Sequence, residues 1–104
     1  MKVKTKELSR EQIMTFLSMN RDLLRNLHVK RIGLFGSYVK ATQDSKSDVD
    51  FLVEFQKPSF DDFMELAFFL EARLGRKVDL ITNGNLSPYI KPYVDKEVKW
   101  YETR

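Results

Sequence analysis

Two apolar runs that stop and start on chemically loaded residues constrain this chain more than anything else in it. The first is Leu34-Phe35-Gly36-Ser37; the second is Ser47-Asp48-Val49-Asp50-Phe51-Leu52-Val53. From Asp48 to Phe55, Val49, Phe51, Val53 and Phe55 fall on one face, and Asp48, Asp50, Leu52 and Glu54 on the other. That is the period-two pattern of a strand with one face in a core. Val29 to Phe35 reads as a second strand, and Gly36-Ser37 turns the chain at its end. A chain so patterned sets a tight turn beside two carboxylates that project from one face of a strand.

The rest of the chain supplies helices to cover such strands. Ser9-Arg10-Glu11-Gln12 reads as a capping box, and Ile13, Phe16, Leu17, Leu24 and Leu27 then recur at helical spacing, predicting a helix from about Arg10 to Leu27. Tyr38 to Lys46 is polar and predicts a short helix and a loop. Pro58 ends the acidic strand, and Ser59-Phe60-Asp61-Asp62 offers an N-cap with acids in the first turn. Phe63, Met64, Ala67, Leu70 and Leu74 form the inward stripe of a second long helix, stopped by Gly75. Lys77 to Thr82 reads as a third strand and Asn83-Gly84-Asn85 as a turn. Ser87-Pro88 resembles a helix start, while Pro92 either kinks that helix or marks its true start. Val98 to Tyr101 closes the pattern as a short strand. The order predicts an α+β fold, a small mixed β-sheet flanked by helices packed mainly on one face.

Composition excludes several classes. At 104 residues, one domain spanning 1–104 is expected. Hydrophobic residues make up 42% and charged residues 32%, the balance of a soluble globular domain. There is no cysteine, so disulfides and thiolate-metal centres are excluded, and a reducing compartment fits. Met1 to Arg10 has no apolar segment of the kind a signal peptide needs, and the run Leu66 to Leu70 is far too short to span a bilayer, so a cytoplasmic location with no membrane association is expected. The net charge of +3 is spread along the chain, which favours a solvated mixed-charge surface over a nucleic-acid footprint.

Residues i and i+2 of a strand point the same way, so Asp48 and Asp50 sit roughly 6–7 Å apart at Cα with carboxylates able to converge. Two carboxylates so close repel each other, and a hard divalent cation relieves the repulsion. Magnesium takes oxygen ligands while keeping waters and substrate phosphates, and paired metal ions clamp both the attacking and leaving oxygens of a displacement. A third carboxylate would complete the site as ligand or general base. Asp79 is the candidate, because it interrupts the apolar run Val78-Asp79-Leu80 in a separate strand. An edge-strand aspartate facing water is the plainer reading of it. Gly36 would let the backbone approach a phosphate, and Ser37 would add its hydroxyl and N–H near the start of a helical turn. His28, the single histidine, reads as a helix-end or surface residue. Phe68 and Phe69 suit core packing or, failing that, a partner surface. Lys40, Arg76 and Lys77 could steer phosphate or simply be solvated, and Trp100 and Tyr101 read as packing residues.

The spacing of Leu34-Phe35-Gly36-Ser37, ten residues from Tyr38 to Ser47, then Asp48-Val49-Asp50, is similar to the signature of the nucleotidyltransferase superfamily related to DNA polymerase beta. The short length and Gly75-Arg76-Lys77-Val78-Asp79-Leu80 resemble its minimal members, the MNT or MntA-like proteins; the resemblance runs from about Ile32 to Tyr101. It implies magnesium and ATP, with Asp48 and Asp50 as metal ligands, Asp79 as the third acid, and Gly36 and Ser37 holding the triphosphate. It implies an antitoxin paired with a HEPN-domain toxin, some members moving AMP from ATP to a tyrosine of that partner, and hence a homo- or hetero-oligomer. Where many relatives carry Arg-Gly after the Gly-Ser turn, this chain has Lys40-Ala41; lysine keeps the charge but not the bidentate fork. Two alternatives remain at this level: an antitoxin that neutralises its partner by binding alone, and a small-molecule nucleotidyltransferase, although such enzymes generally carry a further helical domain. A glycosyltransferase using Asp-x-Asp would leave Gly36-Ser37 and Asp79 unexplained.

Overall fold

The architecture is set by one four-stranded mixed sheet in the order β3-β2-β1-β4, where β1 is Val29–Phe35, β2 Val49–Phe55, β3 Val78–Thr82 and β4 Lys99–Glu102. The computed structural model describes residues 8–40 and 48–104. β1 runs antiparallel to β2 and β4, and β2 runs parallel to β3. The antiparallel partners Leu34↔Phe51, Gly33↔Leu52 and Phe35↔Asp50 place the turn after β1 beside the start of β2.

The sheet has two apolar faces of unequal size. On the larger lie Val29, Ile32, Leu34, Val49, Phe51, Val53, Val78 and Leu80, buried together with Ile13, Leu17, Leu24, Leu66 and Leu70 from the helices. These come from α1 (Arg10–Met19), α2 (Arg21–Asn26) and α4 (Phe60–Leu74). The smaller face carries Phe35 and Leu52, covered by Leu86, Val94 and the partly buried Ile81, Val98 and Trp100. Val94 belongs to α5 (Lys91–Glu97). The expected packing on mainly one face is therefore supplemented by α5 on the other, and it is this second face that carries Asp50.

Several sequence expectations meet local chemistry directly. Ser9 Oγ accepts from Gln12 N–H at 3.1 Å while Gln12 Oε1 accepts from Ser9 N–H at 2.9 Å, closing the capping box. Ser59 caps α4 by accepting from Asp62 N–H, and Gly75 ends it in the left-handed conformation at φ 67°. Other expectations change. The single helix Arg10–Leu27 is two helices, broken at Asn20 (φ −113°, ψ 28°). Asn20 Nδ2 donates to the Phe16 carbonyl at 2.9 Å, a local side-chain bond that competes with continuation of the helix. In α4 the stripe includes the fully buried Leu66 alongside Leu70. Phe69 packs against the core and stacks on Phe16 with ring centroids 5.7 Å apart, whereas Phe68 is exposed. Pro92 marks the true start of α5, at its first turn. The Ser87 carbonyl instead closes a separate turn, accepting from the N–H groups of Ile90 and Lys91. Among the described residues, no helix is long and apolar enough to cross a membrane.

Candidate active site

Gly36 terminates β1 at φ 82°, a left-handed conformation that L side chains rarely adopt. The chain then enters α3 (Ser37–Lys40), with Val39 N–H donating to the Gly36 carbonyl at 3.1 Å. A Cβ at Gly36 would collide with the Asp50 carboxylate, meeting Oδ2 closer than any real contact. Glycine is therefore required twice here, by the backbone angle and by the acid packed against the turn.

Asp50 and Asp79 are register partners in the parallel β2–β3 pair. Register partners share a face and lie about 4.8 Å apart in the hydrogen-bonding direction, so the third acid stands beside the second. Asp48 immediately precedes β2, whose first N–H, that of Val49, donates to the Lys77 carbonyl at 2.9 Å. The three acids thus gather at one end of two adjacent strands; Asp48 and Asp79 are exposed and Asp50 half-buried. Arg76 and Lys77 directly precede β3 at the same end. Lys40 ends α3, and the expectations for its side chain, for Ala41 and for the rest of the loop to Ser47 lie outside the described residues.

Electrostatics separates the two acids that β2 presents on this face. Glu54, near the far end of the strand, accepts from Arg31 Nη2 at 2.9 Å and from Asn83 Nδ2. The hydrogen bond from Arg31 holds its carboxyl below the usual range. Asp50 goes the other way. Burial first, then the charges of Asp79, Asp48 and Glu97, push it up to about 6. Glu54 is committed to structure, while Asp50 sits in a field of like charge that a cation would relieve. Among the described residues, no group of three or more Asp, Glu or His side chains is already drawn together into a metal cage. The donor chemistry nonetheless fits magnesium, which binds through one or two carboxylates and fills its remaining positions with water and substrate phosphates.

The nucleotidyltransferase domain model matches residues 13–101, all of the sheet but its last residue, Glu102, and nearly all of its cover. The chain belongs to the nucleotidyltransferase domain family. Curated relatives of this nucleotidyltransferase include the protein adenylyltransferase MntA of Thermococcus cleftensis, 42% identical over 93 residues, covering 88% of this chain and 94% of that protein. A Methanocaldococcus jannaschii protein provisionally named a protein adenylyltransferase is 39% identical over 92 residues, covering 84% and 92%. Among solved structures, one described as a provisional minimal nucleotidyltransferase superposes with a TM-score of 0.76 at 25% identity, covering 91% of this chain and 98% of that one. A toxin–antitoxin complex with AMP-PNP gives 0.64 at 31% identity, covering 78% and 69%. A complex of MntA with HpeT, altered from aspartate to glutamate at two positions two residues apart, gives 0.63 at 27% identity, covering 80% and 69%.

Other features of this nucleotidyltransferase fall outside the acid cluster. His28 is a helix-end residue as expected, at φ 65° after α2, with Nδ1 2.9 Å from Asp62 Oδ2 at the start of α4. Trp100 and Tyr101 pack on opposite faces of the sheet, Trp100 beneath the Arg31 guanidinium at 3.8 Å. A groove of about 880 Å³ lies at the other end of β2 and β3 among Phe55, Phe60, Phe63, Ile81 and Asn83, and none of the three acids lines it. Glu97 is the acid that the sequence did not single out. It ends α5 and acts on Asp50 only because α5 lies across the acid-bearing face; its helical phase relative to Val94 was the one available signal.

Proposed function

We propose that this nucleotidyltransferase moves AMP from ATP to a hydroxyl, a tyrosine phenol, of a HEPN-type toxin and so acts as its antitoxin. The observation that carries the proposal is the register pairing of Asp50 with Asp79 beside the Gly36 turn. The similarity to MntA supports the activity, and the AMP-PNP complex among the structural neighbours supports the nucleotide.

In this reading Asp48 and Asp50 hold magnesium, with Asp79 as a further ligand or as the base, and Gly36 and Ser37 hold the triphosphate. Magnesium, when bound, neutralises charge developing on the phosphates. The chain's own residues do the positioning. The bare backbone at Gly36 admits a phosphate close to the main chain, and Ser37 offers its N–H and hydroxyl at the start of α3. The acceptor hydroxyl attacks the α-phosphorus, its proton passes to the Asp79 carboxylate, and the bond from the α-phosphorus to the bridging oxygen breaks to release pyrophosphate. Alignment and fixed charge supply the acceleration.

The test is incubation of the protein with magnesium and α-labelled ATP, with and without its HEPN-type partner. Label on that partner, lost in Asp48→Ala, is the expected result. A tight complex that never becomes labelled would replace transfer by neutralisation through binding; no label and no complex would direct attention to a small-molecule acceptor.

A further inference from the structure

We infer that Tyr93, on the flank of α5 that faces the acids, is the platform on which the nucleobase stacks. The inference rests on the proposed nucleotide-dependent function and deepens it: nothing in the acid cluster itself recognises a base.

The argument starts from helical phase. Val94 is the buried anchor of α5, 4% exposed against Leu52 and Phe35. At about 100° per residue, Ile90, Glu97 and Tyr93 fall roughly 40°, 60° and 100° to one side of Val94, and Lys91 and Asp95 to the other. The helix is continuous across this stretch, with Val94 N–H donating to Ile90 and Val98 N–H to Val94. Charges identify the two flanks. Lys99, two residues beyond Glu97, pairs with Leu34 just before the Gly36 turn, and Phe35 pairs with Asp50, so Glu97 lies at the acid end of β2, where its charge also acts on Asp50; Asp95, paired with Lys91 at 2.9 Å, acts on Arg31 near the opposite end. The Ile90–Tyr93–Glu97 flank therefore borders the acids.

Tyr93 stands one turn, about 5.4 Å, from Glu97 along that flank and is 72% exposed, with Ile90 beside it at 46%. Residues four apart on a helix are neighbours, so the phenol ring continues the wall that Glu97 begins. The order of parts across the sheet gives the direction of the ligand. Gly36 ends β1, Asp50 lies on β2 and Asp79 on β3. A triphosphate held at the Gly36 turn reaches the acids with its α-phosphate and must send the nucleoside onward over the same face. The other face is closed by the packed core, leaving the α5 flank as the wall the base meets. An exposed ring with a polar tip is suited to that role, because every base offers a π-face.

The test is titration calorimetry of the full-length protein with magnesium and either ATP or inorganic tripolyphosphate. Stacking on an aromatic side chain is worth roughly 1–3 kcal/mol by alanine substitution, so Tyr93→Ala should weaken ATP roughly 5- to 100-fold at 1.4 kcal/mol per tenfold. It should leave tripolyphosphate binding unchanged, and Tyr93→Phe should restore the affinity for ATP. Equal loss of both ligands would mean that the substitution acts through the fold, and no loss of ATP would make the flank a protein-docking surface; either overturns the inference while the nucleotide site stands. Failure of the unmodified protein to bind tripolyphosphate or ATP would overturn the proposed function and the inference together.

Discussion

Replacing Asp50 with asparagine should stabilise this protein near neutral pH while abolishing transfer. The Asp50 carboxyl is raised from 3.8 to about 6 by its burial and by the charges of Asp79, Asp48 and Glu97. A raised pKa means that folding disfavours the ionised form. The penalty is therefore absent at pH below the unfolded value of about 4, grows as pH rises, and is complete above about 6. At 1.36 kcal/mol per pH unit the displacement corresponds to about 3 kcal/mol; with half of the group facing water, screening leaves roughly 1–1.5 kcal/mol. For a domain of this size that is a rise in Tm of roughly 5–10 °C. Thermal unfolding of the parent and Asp50→Asn, in chelator so that no cation masks the repulsion, should show this advantage at about pH 7.5 and little of it at about pH 4. Magnesium should then raise the parent's Tm and leave the variant's where it was. An advantage equal at both pH values, or none at the higher one, would refute the account of Asp50 as a repelled carboxylate.

Gly36→Ala and Gly75→Ala form a matched pair, since both positions have positive φ but only a Cβ at Gly36 meets anything, the Asp50 carboxylate. Each should lose about 1–2 kcal/mol in a denaturant titration from the left-handed backbone, and Gly36→Ala alone should also lose label transfer. Leu66→Ala, which empties a fully buried position in the main core, should cost roughly 2–5 kcal/mol in urea unfolding. Gly33→Ala places a methyl 2.5 Å from Val98 Cγ2 and 3.0 Å from Trp100 Cε3. It should shift the fluorescence of Trp100, the single tryptophan, by levering the junction of α5 and β4 off the sheet; an unchanged spectrum would show that the junction yields without cost.

The strands were legible because their signal is local. Alternation along Val49–Phe55 follows from one buried face, and Val29–Phe35 is bounded by a helix end and a glycine turn. Caps at Ser9, Ser59 and Gly75 were legible for the same reason, since each depends on residues within one turn. The break at Asn20 was not, because the apolar spacing from Leu17 to Leu24 suits one helix or two and a single side-chain bond to Phe16 decides between them. Phe68 and Phe69 are adjacent and equally apolar; only the position of Phe16 determines which one is covered.

For the site, the sequence alone determined the actors: a turn needing glycine, two acids on one strand face, and a third acid interrupting a separate apolar run. Those properties belong to single elements and survive any arrangement of the others. The tertiary structure decided which strands are neighbours, and hence that Asp79, exposed on the edge strand β3, pairs with Asp50 instead of standing apart from it. It also laid α5 across the acid-bearing face, anchored by Val94 on Leu52, bringing Glu97 and the Tyr93 flank to the acids. The reason is physical. Strand order and helix placement are fixed by which apolar faces can be buried together across long stretches of chain, and no window of residues contains that information.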